Sequence, residues 1–236
     1  MAMMSLLEIV QRTAKRLSLP VPSSAYSSTD PTWMQGVEIL TDLGEEISEL
    51  GEWSYQITPA TIAVATLNYH IETLPSDYSN MTEDGKIYRT MTFQPLIGPV
   101  TSSEWERLTI FGGGFIPGAW RLFNNTLNIY GVAVGETLKY EYISEKWITD
   151  STGVTKKSAW TADTDKPLID DQLLRTGLQW KWKRAKGFDY SEEKETYETL
   201  LESLQATNRG LRTVMAAYPL RGDDLQDGTW PGVVVP

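Results

Sequence analysis

The stretch AWTADTDKPLIDDQLLRTGLQWKWKRAKGFDYS, residues 159–191, constrains the fold more than any other part of the chain. It reads as a turn-rich lead-in, one well-marked helix and the start of a second. Asp165 stands before Pro167, a residue suited to a first helical turn, and Asp170 and Asp171 put negative charge near the positive end of the dipole. Gly187 follows Lys183, Arg184 and Lys186, a glycine stop just past a basic last turn. On a helical projection Leu174, Gly177, Leu178, Trp182 and Ala185 share one face, flanked by Leu173 and Trp180. Lys181 falls within that apolar face. An unpaired ammonium is too costly there, so it must snorkel, meet a carboxylate or point at a partner chain.

Two more helices are marked near the start. Ser5 and Glu8 form the S-x-x-E capping box, and Leu6, Ile9, Val10, Thr13, Ala14 and Leu17 line one face before Pro20. Asp30-Pro31 starts the second, with Trp33, Val37, Leu40, Gly44 and Ile47 as its core stripe and Gly51 as its stop. Between about 53 and 149 the pattern alternates. Residues 61–65, 68–73, 86–93, 120–123, 126–130 and 136–144 are predicted strands, and Asn124-Asn125 a tight hairpin turn. Residues 101–106 read as a short capped helix, and Gly112–Gly114 as a turn lacking the Lys-Ser/Thr of a phosphate loop. A last helix begins at Asp189-x-x-Glu192, buries Tyr197, Leu200, Leu201 and Leu204, and is expected to end near Asn208–Gly210.

The pattern predicts an α+β fold. Helices from residues 1–52 and 163–213 form one antiparallel bundle, with a small antiparallel β domain, 53–162, inserted between them. Residues 214–236 hold three glycines and three prolines, yet Val214, Met215, Tyr218, Leu220, Trp230, Val233, Val234 and Val235 are too apolar for a solvated tail. They are expected to form an extended arm that docks on a partner.

Charge and composition then narrow the function. The net charge of −10 argues against coating DNA, because non-specific affinity comes from neutralised phosphates. The absence of cysteine removes disulfides, zinc–thiolate sites and thiol nucleophiles. One histidine, His70, leaves little material for a Ser-His-Asp triad or a histidine metal site, so no catalytic, cofactor or metal residue is assigned. The acidic pairs Glu45-Glu46, Asp170-Asp171, Glu192-Glu193 and Asp223-Asp224 read as caps and solvated helix faces. The segment Trp180–Lys186 reads as a core helix with a basic end and not as a nucleic-acid strip. No apolar run reaches the length of a membrane span, so a soluble protein with no membrane partner is expected.

The runs TADTDKPLIDDQLL…GLQWKWKRAKGFDYSEE and SLLEIVQRTAKRLSLPVPSSAYSSTDPTWMQGVEILTDLGEEI resemble the head-to-tail adaptor, or connector, proteins of tailed bacteriophages. The similarity spans roughly residues 4 to 205 and is strongest at the two ends. It implies a structural, non-enzymatic virion protein, made in the host cytoplasm and located at the head–tail junction. About twelve copies would form a ring between the portal protein and the tail or nozzle protein, with DNA passing through the lumen. The C-terminal arm would reach into the portal. Arg175, Lys181 and Arg184, facing the acidic side of the last helix, are candidates for contacts between subunits, which in a ring are heterologous. Other tail-side rings (tail completion or tail tube) and a particle-borne cell-wall hydrolase stay open as alternatives.

Overall fold

The computed structural model describes residues 3–110 and 118–216. Among them the chain is a mixed α+β protein of five helices and small antiparallel sheets. The glycine run at 112–114 and Tyr218, Leu220, Trp230, Val233, Val234 and Val235 lie outside the described residues.

Helix α1, Leu6–Arg16, begins as its sequence requires. Ser5 Oγ accepts from the Glu8 amide at 3.3 Å, and the Glu8 carboxylate accepts from the Ser5 amide at 2.9 Å. Its buried side is Leu6, Ile9, Val10, Thr13 and Ala14. Helix α2, Pro31–Glu49, is capped by Asp30, whose Oδ1 accepts from the Thr32 amide at 2.8 Å. It buries Trp33, Gly36, Leu40, Leu43, Gly44 and Ile47.

Between α2 and the next long helix lie two larger sheets. In the first, β1 (Ile57–Ala63) and β3 (Tyr78–Met81) flank β7 (Thr137–Ser144), and β4 (Tyr88–Arg89) also pairs with β7. In the second, β6 (Thr126–Tyr130) lies between β2 (Tyr69–Thr73) and β5 (Ala119–Phe123). The β5–β6 turn is Asn124-Asn125 with φ of 49° and 57°, the left-handed pair of a two-residue hairpin. The sheets enclose their own core of Ile62, Ile87, Trp120, Leu127, Ile129, Leu138, Tyr140 and Tyr142. Helix α3, Ser102–Ile110, buries Trp105. The long strand expected over 86–93 is cut to Tyr88–Arg89. The chain turns back at Phe93, whose φ is 56° and whose amide donates to Arg89 O.

Helix α4, Asp171–Lys186, is the centre of the helical part and packs on α1, α2 and α5. Asp170 is its cap, accepting from the Gln172 and Leu173 amides at 2.8 and 3.0 Å. Gly187 ends it at φ 75°. Asp165 and Pro167 do not belong to its first turn. Lys166–Pro167 forms a short strand, β10, beside β8 (Ile148–Thr149), which also pairs with β9 (Lys156–Lys157). The Asp165 side chain turns inward instead. Helix α5, Ser191–Ala216, also departs from expectation, running past Gly210 and taking Val214 and Met215 out of an extended arm. Asn208 is no stop because its side chain is engaged elsewhere: Nδ2 donates to Glu52 O at 2.6 Å and Oδ1 accepts from the Ser54 amide at 3.2 Å. A glycine inside a helix costs only about 1 kcal/mol, too little to end it alone.

One apolar core joins Leu6, Ile9, Leu40, Leu43, Ile47, Leu173, Leu174, Leu178 and Tyr197 from the four long helices. Trp53, Trp147, Ile148 and Trp160 enter it from the segment between α2 and α4. No helix among the described residues is long and apolar enough to cross a membrane.

Candidate interaction surfaces

The cations of α4 divide into those with a side-chain partner within the chain and those left over. Lys181 meets Glu46 of α2, Lys183 meets Glu193 of α5, and Lys186 Nζ donates to Gln35 Oε1 at 2.8 Å. Two of these lysines approach aromatic rings, with Lys181 Nζ 5.8 Å from the Trp180 ring and Lys186 Nζ 5.7 Å from that of Trp182. The costly position of Lys181 is thus resolved by pairing within the chain. With Glu46 half exposed, the pair contributes at most about 1 kcal/mol, and Lys181→Ala should lower the thermal midpoint by no more than about 3 °C in calorimetry. A larger fall would mean that Lys181 bears on more than Glu46.

Arg175 and Arg184 have no carboxylate partner within 4.0 Å among the described residues. Nine residues apart, they point to opposite sides of α4, so the three expected contact residues do not form one patch. Arg175 instead belongs with α1. Burial, then the charges of Arg16 and Arg12, lower its pKa, and its Nε donates to Asp171 O at 3.3 Å. Arg12, Lys15 and Arg16 are exposed and make no ion pair among the described residues.

The carboxylate pairs separate by role. Asp170 caps α4, Asp171 Oδ2 accepts from the Met4 amide at 3.0 Å, and Glu46 and Glu193 hold lysines. Glu38, Asp42, Glu45 and Glu49 remain on the exposed side of α2. Glu45 and Glu49 also border a groove of about 360 Å³ with Glu145, Gln56 and Trp147. A larger groove, about 850 Å³, separates the end of α2 from β3 and involves Glu49, Glu52, Tyr78, Met81 and Asn208.

His70 is buried in β2. Its Nε2 lies 3.0 Å from Glu72 Oε2, and its Nδ1 faces the Ala65 amide at 3.4 Å and Thr66 Oγ1 at 3.5 Å. The Thr66 hydroxyl donates to Tyr69 O, so its proton is committed to the backbone. No group of three or more His, Asp or Glu side chains that could hold a metal ion occurs among the described residues.

One surface escaped the sequence reading. Trp105 of α3 sits 6.0 Å from Tyr69 and 6.3 Å from Tyr130 on the β2–β6–β5 sheet. Arg121 lies over Trp105 at 4.5 Å and over Phe123 at 4.9 Å, while Ile71 and Phe123 stay exposed. Its one local sign in the sequence is the i,i+2 spacing of Tyr69 with Ile71 and of Arg121 with Phe123, which puts each pair on one face of its strand. Compared with protein-family models and with curated proteins, the chain matches none.

Proposed function

We propose that this chain is a structural, non-enzymatic protein of a tailed-bacteriophage particle, a head-to-tail adaptor. About twelve copies form a ring between portal and tail, and DNA passes through its lumen without sequence-specific contacts. The observation that carries the reading is where the adaptor-like stretches fall. They supply α1, α2, α4 and the start of α5, and these helices share a single core although more than a hundred residues, which carry all the β strands described, separate α2 from α4. In this reading they are an antiparallel bundle, residues 53–162 are an inserted domain that meets the next tail component, and residues beyond α5 dock on the portal. Tyr218, Trp230 and Val233–Val235 are the apolar anchors of that docking. Arg175 and Arg184, on opposite sides of α4, suit two different subunit contacts, as a heterologous ring requires.

Light scattering of the chain mixed with the portal protein encoded in the same genome tests the assignment. The full chain should add about twelve copies to a portal ring. A version ending at Ala216, which keeps α5 whole, should add none. If both versions join, the adaptor reading stands and portal docking by the C-terminal segment is wrong. If neither joins, the adaptor reading fails.

A further inference from the structure

The groove between α2 and the β part is built from acceptors. Glu45, Glu49 and Glu145 border it, and no lysine or arginine among the described residues pairs with any of the three. Gln56 lines the same groove and is 1% exposed. Its Nε2 donates to Ser144 O at 3.2 Å, which fixes the amide orientation and leaves Oε1 without a hydrogen-bond partner among the described residues. A buried amide oxygen beside three carboxylates calls for a cation rich in N–H donors. The carboxylates do not gather into a cluster that could hold a metal ion. A guanidinium, with five donors spread over a plane, fits such a dispersed set better than a point charge.

The chain carries the complementary surface. Arg12 and Arg16 are exposed on α1 and crowd the half-buried Arg175, and neither makes an ion pair among the described residues. Their i,i+4 spacing matches that of Glu45 and Glu49, about 6 Å along a helix axis in both cases. Glu45 and Glu49 sit near the negative end of the α2 dipole, where no basic residue occupies the last turn, so a cation from outside relieves two repulsions at once. We propose that the groove formed by Glu45, Glu49, Glu145 and Gln56 receives Arg12 and Arg16 of a second copy of this chain. Groove and arginine ridge are different surfaces, so the contact is head-to-tail and repeats. It deepens the ring reading, on which it rests only for the number of copies.

Sedimentation equilibrium of the full chain tests the contact. Association should weaken about tenfold or more between about 0.05 M and about 0.5 M salt. The Arg12→Glu/Arg16→Glu and Glu45→Arg/Glu49→Arg variants should each weaken it at least about tenfold. Combining the two reversals should restore it to within about threefold, a recovery that misfolding cannot produce. A chain that stays monomeric at low salt overturns the proposal, as does association indifferent to both reversals. Mixing the same variants with the portal separates the two ideas. Reversed chains that still complete a ring overturn this contact and leave the adaptor reading intact, whereas a wild-type chain that never joins the portal overturns the adaptor reading alone.

Discussion

Asp165→Ala is expected to cost about 3–5 kcal/mol of folding stability, read as a lower urea midpoint at neutral pH. The carboxylate is 1% exposed and fully engaged. Its Oδ2 accepts from the Thr161 amide at 2.7 Å, the Ala162 amide at 3.0 Å and the Thr161 hydroxyl at 2.9 Å. Its Oδ1 accepts from Lys157 Nζ at 2.8 Å. Alanine leaves two amides without their acceptor and a partly buried ammonium without its counter-charge. Burial by itself would raise the pKa of Asp165, but the bonds from Lys157, Thr161 and Ala162 outweigh it and hold the carboxyl below the usual range. Asp163 and Asp77 are lowered in the same way, each against burial, by Ser24, Tyr26 and Ala25 and by Ser144, Tyr142 and Lys146 respectively. A lowered folded-state pKa gives stability that is complete above the unfolded value, near pH 4, and lost as pH falls through the folded value. The wild type should therefore destabilise below about pH 4, and its advantage over Asp165→Ala should shrink there. A cost that stays constant down to pH 2 would assign the loss to packing and not to charge.

Gly44→Ala should cost about 2 kcal/mol or more, although alanine is the better helix former by about 1 kcal/mol. A Cβ at position 44 would lie 2.1, 2.3 and 2.4 Å from three ring atoms of Trp147. The ring has little freedom to retreat, being 1% exposed and packed edge-on against Trp160 at 5.3 Å and 89°. Gly36, two turns earlier on the same helix, is the internal control. There the added carbon meets Trp33 at 3.7 Å, an ordinary contact, so Gly36→Ala should be neutral or stabilising by up to about 1 kcal/mol. In urea denaturation the midpoint of Gly44→Ala should fall and that of Gly36→Ala should hold or rise. Equal midpoints would mean that Trp147 repacks freely and that the joint between α2 and the β part is softer than its burial implies.

What could be read in advance depended on how local its cause was. The Ser5–Glu8 box, the Asp30-Pro31 start, the Gly187 stop and the Asn124-Asn125 turn are set by residues within four positions of one another, and the sequence predicts each correctly. Asp165 looks like a helix lead-in because Pro167 follows it. Only the pairing of β10 with β8, about twenty residues upstream, shows that the chain is still extended there. Asn208 resembles a stop until Glu52 and Ser54, about 155 residues away, occupy its side chain. Two-residue strands such as β8 and β9 have no periodicity to detect. For the interaction surfaces, the projection singled out Lys181 but not Glu46 as its partner. The grouping of Arg175 with Arg12 and Arg16 spans two helices distant in sequence, and the groove around Gln56 spans more, so neither was visible in a linear reading.

The capping of α1 has a consequence for the order in which the chain is made. Beyond its own Ser5–Glu8 box, the start of that helix is bonded to late residues. The Leu6 amide donates to Asp165 O at 2.8 Å, the Leu7 amide to Asp163 O at 3.2 Å, and the Met4 amide to Asp171 at 3.0 Å. A ribosome delivers α1 first and its acceptors some 160 residues later, while the strands of the two larger sheets, the last ending at Ser144, are all made in between. The apolar stripes of α1 and α2 are therefore synthesised long before α4 exists to cover them, and the core they share with α4 cannot close until that helix has been made.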